Sequence, residues 1–580
     1  MRRLLPIIAA AGCALTAAAH AQTYNAVTDA RLADPEPGNW LQFRGNYSGW
    51  GYSPLDQITT ENVKSLRPVW TYSTGVTEGH QAPPIVNDGM MYVSTPQNQV
   101  IAFEAATGKE LWRYVRALPD DLFQLHPTNR GVGLYGDKVY MATVDGYVVA
   151  LDASSGDVVW ETEIGDYTDG YYSTLSPLTA DGKIVVGVSG GEFGIRGYIV
   201  ALDAETGAEA WKTYTVPEPG QPGSETWKGD AWKTGGGSIW MQGNYDPKSK
   251  IAYFGTGNGG PWMPDTRPGD NLYTTSVVAL DMANGSIIGH HQYHWNDAWD
   301  WDEVSAPLLI DYDHDGQSVK GLVHAGRNGY LWQLARSEEG PISFVAGQPY
   351  VRQNVFTGLD DKGRPSYDPD RTPGTDKTVT FCPSLWGGKD WPPEAYNPDT
   401  GLFYIPSHEN LCSELGGAPM EAREPGELWI GVPLDVILSS LRFHESVDTS
   451  KPVPIGKLQA WDLSEGKLAW EHSFMDTAYW GPLLTTKGGL VFTGGTQDRM
   501  FRAFDAKTGD VLWEFPTNSG ITGVPSSFEV DGKQYVAVQS GWGVDSERMR
   551  ALLEDMLPEG RVPEVPQGGV IWVFALDEAS

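Results

Sequence analysis

The sequence predicts an all-β fold, an eight-bladed β-propeller, and three observations support this prediction. One phrase recurs along the 580 residues: a short alternating strand, a turn of the type D-x-x-(T/S/E)-G, and a second strand that closes on Trp. The clearest neighbouring copies begin about 43 to 51 residues apart, which suits one four-stranded blade each. No segment of that length carries a sustained 3.6-residue hydrophobic period, and this excludes a helical solenoid.

Seven copies of the phrase are visible, and with one degenerate blade they make eight. The clear copies are AFEAATGKELW (102–112), ALDASSGDVVW (150–160), ALDAETGAEAW (201–211), AWDLSEGKLAW (460–470) and AFDAKTGDVLW (503–513), and the weaker ones are ALDMANGSIIG (279–289) and AYNPDTGLFYI (395–405). In the turn, Gly supplies a positive φ and Asp accepts hydrogen bonds from its own backbone. The closing Trp suits a large flat side chain wedged between adjacent blades, so the blades are predicted to dock through tryptophan.

The N-terminus has the three parts of a secretory signal. Residues 1–21 combine two arginines, an apolar run and Ala19-His20-Ala21, so we predict a signal peptide and a periplasmic protein. A lipid-attachment box around Cys13 is the weaker interpretation. Residues 22–580 are predicted to form a single propeller domain that opens with a strap at 22–45. No later apolar run is long enough to span a bilayer.

Two inserts interrupt the rhythm of the repeats. Residues 413–455 are rich in Pro and Gly, with a possible short helix at 433–443, and residues 545–557 have a helical pattern. We expect both inserts on a face of the disc. The segment DYDHDG (311–316) opens like a calcium-binding loop, but the twelfth position is Leu322 rather than Glu, so an acidic hairpin turn is the favoured interpretation.

Charge and cysteine content limit the choice of partners. The formal net charge is −33, and cleavage after residue 21 would make it −35 because Arg2 and Arg3 would be lost. Such acidity argues against nucleic acid and anionic membranes, and it allows a basic soluble partner. The remaining cysteines, Cys382 and Cys412, suggest one disulfide in an exported protein. The sequence has no C-x-x-C-H motif for attachment of a c-type haem.

The stretch WNDAWDWDE (295–303) concentrates acidic and aromatic side chains. Asp300 and Asp302 are two residues apart, which places both carboxylates on one face of an extended chain. Two such charges repel each other unless a cation lies between them. A solvated acidic turn, with its tryptophans packed between blades, is the alternative interpretation.

Four motifs together resemble a known family. They are SGGEFGIRGY (189–198), WKGDAWKTGGGSIW (227–240), FGTGNGGPW (254–262) and DAWDWD (297–302). With the repeats, they resemble the periplasmic pyrroloquinoline quinone (PQQ)-dependent alcohol dehydrogenases, eight-bladed quinoproteins, over nearly the whole chain after residue 21. The resemblance implies that a bound PQQ and a metal ion oxidise an alcohol to an aldehyde or ketone.

The resemblance also implies a set of metal ligands. Glu192, Asn258 and Asp300 match residues that hold the metal together with the quinone, and oxygen ligands alone select a hard cation over zinc or copper. Calcium-dependent members usually have a small residue where this chain has Asp302. A second Asp there resembles the lanthanide-dependent members, so a lanthanide ion is expected and calcium is the alternative.

Cofactor contacts carry over from the family in the same way. Trp240 is expected to lie flat beneath the quinone, Arg327 to donate to its oxygens, and Trp262 to roof the substrate pocket. The remaining matched cofactor contacts are Arg130, Thr174, Ser189, Gly190, Gly191, Ser238, Trp480, Gly541 and Trp542. For a single Trp the alternative is blade packing, and for Arg130 and Arg327 it is a structural salt bridge.

The sequence departs from the family pattern at several of these places. Gln81 stands where a Glu usually contacts the quinone, and Asp390 stands where methanol enzymes have Asn. Gln124 and Leu125 replace adjacent cysteines that form a vicinal disulfide in many members. These changes suggest an alcohol that is larger than methanol or different from it. Cys382 and Cys412 match another, non-vicinal disulfide of the family.

The resemblance implies a division of chemical roles. Asp300 would act as general base toward the alcohol, while Arg327 and the metal polarise the quinone carbonyl. A soluble c-type cytochrome is the expected electron acceptor. The rival interpretations are a non-enzymatic propeller scaffold of outer-membrane assembly and a PQQ dehydrogenase for bulky or polymeric secondary alcohols. The sequence does not predict an oligomeric state.

Overall fold

The computed structural model describes residues 24–577 and is built mainly from β-strands arranged in eight blade-like sheets. The predicted signal peptide, residues 1–21, lies outside the described residues. Within residues 24–577, no helix has both the length and the apolar character needed to cross a membrane.

The chain enters the blades through a strap. This segment contains helix α1 (Asp29–Ala33) and strands β1 (Tyr52–Ser53) and β2 (Leu66–Ser73). Isolated backbone bridges join Val27 to Gly136 and Trp40 to Val86, so the strap lies across the first two blades.

The first four blades follow one another along the chain as antiparallel four-stranded sheets. Blade one contains β3 (Ile85–Asn87), β4 (Met90–Thr95), β5 (Gln99–Glu104) and β6 (Glu110–Val115). Blade two contains β7 (Gly133–Tyr135), β8 (Lys138–Ala142), β9 (Tyr147–Asp152) and β10 (Val158–Glu163). Blade three contains β11 (Leu178–Ala180), β12 (Lys183–Gly187), β13 (Tyr198–Asp203) and β14 (Glu209–Tyr214). Blade four contains β15 (Asn244–Asp246), β16 (Ile251–Gly255), β17 (Ser276–Asp281) and β18 (Ile287–Gln292).

The fifth blade continues this pattern, and inserts separate it from the sixth. Blade five contains β19 (Leu308–His314), β20 (Gln317–Ala325), β21 (Tyr330–Arg336) and β22 (Ile342–Pro349). A hairpin of β23 (Phe356–Leu359) and β24 (Pro365–Tyr367) follows, and then β25 (Val379–Phe381). Strands β19 and β20 confirm the acidic hairpin turn predicted for residues 311–316.

The last three blades include strands from both ends of the chain. Blade six contains β26 (Ala395–Asn397), β27 (Leu402–His408), β30 (Pro454–Asp462) and β31 (Lys467–Met475). Blade seven contains β32 (Leu484–Thr486), β33 (Leu490–Thr493), β34 (Met500–Asp505) and β35 (Val511–Pro516), with β1 added in parallel to β32. Blade eight contains β36 (Ser526–Val530), β37 (Lys533–Ser540) and β38 (Val570–Leu576), and it is completed by β2.

The count of eight blades is correct, but the assignment of repeats to blades needs one correction. Copies 395–405 and 460–470 belong to the same blade, six, because the first copy spans β26 and β27 while the second spans β30 and β31. The other copies form the hairpin between the third and fourth strands of their blades. Blades five and eight therefore carry no copy, so two blades rather than one are degenerate.

Tryptophan docking between blades is present as predicted. The Trp112 indole of blade one donates to the Ala153 carbonyl of blade two at 3.0 Å and lies against Gly156. A Cβ on Gly156, whose φ is +77°, would stand 2.5 Å from the Trp112 ring, so this glycine serves both the turn and the packing. Four further pairs repeat this contact: Trp160 with Gly207, Trp211 with Gly285, Trp470 with Gly509, and Trp70 with Gly108.

The first insert contains strand as well as helix. Strand β28 (Leu411–Leu415) begins just before the predicted bound at 413, and helix α2 (Leu434–Leu438) and β29 (Leu441–Phe443) follow, so the helix is shorter than the predicted 433–443. The helix ends at Leu438, and residues 441–443 pair with β28 instead. The Ser439 hydroxyl donates to the Asp435 carbonyl at 2.7 Å.

The second insert forms helix α3 (Asp545–Met556), close to the predicted 545–557. The predicted disulfide is also present: Cys382, which follows β25, is bonded to Cys412 in β28, with 4.3 Å between their Cα atoms.

Candidate active site

One cavity of about 580 Å³ brings together most of the predicted site residues. Those on its wall are Arg130, Thr174, Ser189, Gly190, Glu192, Trp240, Trp262, Asp300, Asp302, Arg327 and Asp390. Each lies in a loop that leads into the first strand of a blade or joins the second strand to the third. In an antiparallel four-stranded blade these two connections lie at the same end, so the propeller topology collects the loops on one face.

Asn258 holds the two aspartates of the sequence motif in place. Its side-chain amide donates to Asp300 Oδ1 at 2.8 Å, and its backbone N–H donates to Asp302 Oδ1 at 2.6 Å. The Trp240 indole N–H donates to the other oxygen, Asp302 Oδ2, at 3.0 Å. Two further loops therefore converge on the loop that carries this pair of carboxylates.

The turn that presents Asp300 has an uncommon backbone conformation. Asp300 has a φ of +61°, in the left-handed region that Asp tolerates better than most residues. The buried Asp297 carboxylate supports this turn, because it accepts the backbone N–H of Asp300 at 3.2 Å and that of Trp301 at 3.4 Å. Strained conformations of this kind are found preferentially at functional sites.

The Arg327 guanidinium lies among the acidic groups. Nη1 donates to the Asp300 carbonyl at 3.0 Å and approaches Asp302 Oδ2 at 3.4 Å, and Nη2 donates to Asp390 Oδ2 at 2.7 Å. The buried Glu303 carboxylate fixes the Arg327 backbone by accepting its N–H at 3.1 Å. Arg327 thus forms the salt bridges that the alternative interpretation anticipated, and it forms them on the wall of the cavity.

Burial and crowding disfavour ionisation of both aspartates. Burial raises the pKa of Asp300 well above its usual range, and the charges of Asp302 and Glu192 raise it further, against the opposing effect of Arg327. Burial likewise raises the pKa of Asp302 to about 7, with Arg327 lowering it and Glu192 raising it. A cation among these groups would favour their ionised forms.

The carboxylates of Glu192, Asp300 and Asp302 are not grouped closely enough to form a metal site by themselves. Within the described part of the chain, no three His, Cys, Asp or Glu side chains lie close enough together to hold a metal ion. Glu192 lines the same cavity as Asp300 and Asp302, and its carbonyl accepts the Trp429 N–H at 2.6 Å. The four-ligand metal set, which includes Asn258, therefore stays a prediction.

Arg130 and Trp240 form a second part of the wall. The Arg130 guanidinium lies 4.6 Å from the centre of a Trp240 ring and donates to the Thr174 hydroxyl. Thr174 Oγ1 lies 3.4 Å from Ser189 Oγ. This group places cationic and hydroxyl donors beside an aromatic face, which suits a planar anionic ligand.

Seven predicted site residues do not lie on the cavity wall, and these are Gln81, Gly191, Ser238, Asn258, Trp480, Gly541 and Trp542. Asn258 acts through its bonds to the aspartates, and a Cβ on Gly191 would lie 3.4 Å from both Asn258 Oδ1 and Ser238 Oγ. Gln81, Trp480 and Trp542 are buried. Gly541 accepts a backbone hydrogen bond from His80, next to Gln81. A cofactor role for these residues stays a prediction.

Several buried polar atoms of the predicted set have no partner among the described residues. They are Arg130 Nε, Arg327 Nε, Gln81 Oε1 and the indole nitrogens of Trp262, Trp480 and Trp542. Buried polar atoms are rarely left unpaired, so those on the cavity-lining residues Arg130, Arg327 and Trp262 suit a polar ligand.

Sequence reasoning missed part of the wall. Trp386, His126, Asp545 and Arg548 also line the cavity. Trp386 is close to Asp390 in SLWGGKDW, and this proximity was an available signal. The other three give no local signal. Asp545 and Arg548 are indicated by the sequence only as polar positions of a predicted helix, and His126 belongs to none of the matched motifs.

Comparison with known proteins identifies the family. The family model described as "PQQ: Glucose/ethanol/alcohol dehydrogenase, beta-propeller domain" matches residues 40–358 and 359–536. The chain belongs to this family of PQQ-dependent dehydrogenases. The membership confirms the quinoprotein resemblance and sets aside the scaffold interpretation.

Curated relatives of this quinoprotein carry alcohol dehydrogenase names. It is 40% identical to quinoprotein alcohol dehydrogenase PedH of Pseudomonas putida, with 97% of this chain and 95% of the relative covered. It is 34% identical to a quinoprotein ethanol dehydrogenase of Pseudomonas putida, over 93% of this chain and 90% of the relative. Among solved structures, a europium-containing methanol dehydrogenase matches with a TM-score of 0.86 and 33% identity, covering 94% of this chain and all of that one.

Proposed function

We propose that this PQQ-dependent alcohol dehydrogenase works in the periplasm with a lanthanide ion, oxidises an alcohol to an aldehyde or ketone, and passes electrons to a soluble c-type cytochrome. The observation that carries the proposal is the pair of buried aspartates, Asp300 and Asp302, beside Arg327 in one cavity. Calcium is the alternative metal.

The residues present suit PQQ and a hard cation. The unpartnered donors of Arg130, Arg327 and Trp262 match a ligand rich in carboxylate and carbonyl oxygens. The Asp302 carboxylate adds a second buried negative charge beside Asp300, and a trivalent ion gains more from it than a divalent ion does. Glu192, Asn258, Asp300 and Asp302 would hold the metal.

The residues of this chain must supply three things for the reaction: a base, a cation that orients the reacting groups, and a cover that excludes water. Asp300 Oδ1 accepts from Asn258, and its other carboxylate oxygen is the group that takes the proton of the alcohol hydroxyl. Arg327, held by Asp390, orients the reacting groups, and Trp262 covers them. When bound, PQQ would supply a two-electron acceptor, and the metal ion would strengthen its electrophilic character.

Location and electron acceptor are inferred from the sequence. The secretory pattern of residues 1–21 supports the periplasm. The net charge of −33 suits a basic partner, and the absence of C-x-x-C-H from the sequence supports a separate haem protein as acceptor.

Reconstitution tests the proposed function. Protein produced without PQQ is expected to be inactive, and PQQ with lanthanum is expected to restore oxidation of a primary alcohol, measured with an artificial electron acceptor. PQQ alone and lanthanum alone are the controls. If neither absorbance nor calorimetry detects tight PQQ binding in the presence of lanthanum, the proposed function is wrong.

A further inference from the structure

The outer half of the cavity is apolar, and both inserts build it. The first insert contributes Leu428, Ile430, Leu434, Ile437 and Leu438, the helix α3 contributes Ala551 and Leu552, and Phe123 completes the rim. Three of these side chains are unusually open: Phe123 is 58% exposed, Leu434 52% and Leu438 50%. Exposed apolar side chains that gather at the mouth of a pocket indicate a binding surface.

A charged cluster joins helix α3 to the opposite wall. Arg548 Nη2 donates to the Leu125 carbonyl at 2.9 Å, and Nη1 donates to Asp545 Oδ1 at 2.9 Å. The other Asp545 oxygen lies 3.3 Å from His126 Nε2. His126, Asp545 and Arg548 all line the cavity that also contains the acidic groups and the apolar side chains of the rim.

This charged cluster links helix α3 to the segment that contains Leu125 and His126. Toward the core, α3 buries Met549 and Leu553, while Leu552 is turned to the cavity. Burial alone would raise the pKa of Asp545, but His126 and Arg548 hold it below its usual range, so the carboxylate stays charged. Charge-assisted, bifurcated contacts of Arg fix geometry better than a point charge does.

We propose that Arg548, with Asp545 and His126, is a positioning group that holds α3 against residues 123–126 and thereby forms an apolar subsite for the hydrocarbon part of the alcohol. The inference rests on the proposed function and adds a positioning group to it, whose effect should appear with primary alcohols whose chain extends beyond that of ethanol. The occupant is an apolar chain because the rim is continuous with the cavity that holds Asp300 and Trp262.

The size of the effect follows from the area that each methylene buries. A fully buried methylene contributes about 0.8 kcal/mol, which corresponds to at most about a fourfold gain in kcat/KM per carbon. A partly open rim should give about a twofold gain per carbon over the first few carbons. The gain should come mainly through KM, because the tail is bound equally in the ground state and the transition state.

The test is a chain-length series from ethanol to 1-octanol with the reconstituted holoenzyme, comparing wild type with Arg548→Ala and Arg548→Lys. We expect kcat/KM of the wild type to rise about twofold per methylene as far as 1-hexanol. Arg548→Ala should lose at least half of that slope, mainly through KM, and Arg548→Lys should fall between the two because lysine offers no forked contact.

Arg550→Gln is the matched control on the same helix. Among the described residues, Arg550 pairs with Glu547 and Glu554 of α3 alone, at 2.9 and 2.8 Å, and it does not line the cavity. Its removal breaks two ion pairs within α3 without touching the opposite wall, so the slope should stay that of the wild type. Leu552→Asn provides a second variant that changes the apolar wall and leaves the cluster intact, and it should flatten the slope as Arg548→Ala does.

The outcomes separate the inference from the proposed function. Equal slopes for wild type, Arg548→Ala and Leu552→Asn, with ethanol still oxidised, overturn the inference and leave the proposed function standing. If Arg550→Gln loses as much of the slope as Arg548→Ala does, the inference is also overturned, because the effect would then come from destabilisation of helix α3 in general. No oxidation of any alcohol by wild type loaded with PQQ and lanthanum would instead contradict the proposed function itself.

Discussion

At the scale of single residues, Asp300 and Asp302 have different surroundings although they are two positions apart. Both oxygens of Asp302 accept hydrogen bonds, from the Asn258 backbone and from the Trp240 indole. Asp300 Oδ1 accepts from the Asn258 side chain, and its second oxygen receives no hydrogen bond from a described residue. Asp300 is therefore the better candidate for proton transfer, and Asp302 the better candidate for a purely electrostatic ligand.

Replacement of Asp300 by Asn should nearly abolish turnover. An amide oxygen can still contact the metal, but it cannot take the alcohol proton at neutral pH, so kcat should fall by about 10²- to 10⁴-fold. PQQ binding, followed by tryptophan fluorescence, should change much less. Asp311→Asn, on an exposed hairpin, is the control. Activity of Asp300→Asn within tenfold of wild type would show that another group is the base.

Site residues that carry a family motif could be named from the sequence, whereas those defined only by contact could not. Asp300, Asp302 and Trp240, each named from its motif, line one cavity, and their metal and cofactor roles stay predictions. The partnership of Arg327 with Asp390 was not predicted, because 63 residues separate them and no local pattern links two blades. The ion pairs of Arg548 were hidden for the same reason.

At the scale of elements, the repeated phrase predicted hairpins better than it predicted blades. The turn and the docking Trp belong to the third and fourth strands, so a blade lacking them, such as β19–β22, is invisible to the repeat. The weak copy at 395–405 misleads in the opposite way. It has the turn of the repeat, but that turn joins the first two strands of blade six rather than the last two. A turn motif records local backbone geometry, not the position of a hairpin within a sheet.

Two glycine substitutions should measure the contribution of tryptophan docking. Gly156 and Gly182 have similar φ values, +77° and +72°, so alanine strains both turns to a similar extent. A Cβ at Gly156 would meet the Trp112 ring at 2.5 Å, whereas none of the surrounding atoms lies within 4 Å of a Cβ at Gly182. Gly156→Ala should therefore lose about 1–3 kcal/mol more free energy of unfolding than Gly182→Ala.

The measurement is urea unfolding of both variants followed by tryptophan fluorescence. Equal losses for the two variants would mean that the interface between blades one and two relaxes around the added methyl group, and that docking by Trp112 contributes little to stability.

At the scale of the whole molecule, the two ends of the chain complete one ring. Strand β2 pairs with β38, so blade eight combines N-terminal and C-terminal segments, and Trp70 of β2 docks on Gly108 of blade one. The period of the repeats predicted a closed propeller. It could not predict that both inserts line the cavity, because their arrangement depends on long-range contacts rather than on a repeated pattern.

The ring topology explains why the site is built from many loops. Loops of blades two to six deliver their polar residues to the same face, so residues as distant as Arg130 and Asp390 share one cavity. We propose that this cavity holds a trivalent ion together with PQQ. Asp302 favours a trivalent ion over calcium, because its carboxylate adds negative charge beside Asp300.

The most direct test is a metal titration of wild type and Asp302→Ala, each with PQQ, comparing lanthanum with calcium by calorimetry. Removing one negative ligand should weaken the binding of a trivalent ion far more than the binding of a divalent one, since the Coulomb energy scales with the charge of the ion. Wild type should prefer lanthanum, and the variant should lose most of that preference while it still binds calcium. If Asp302→Ala keeps the wild-type preference between the two ions, Asp302 is not a ligand and the lanthanide claim is wrong.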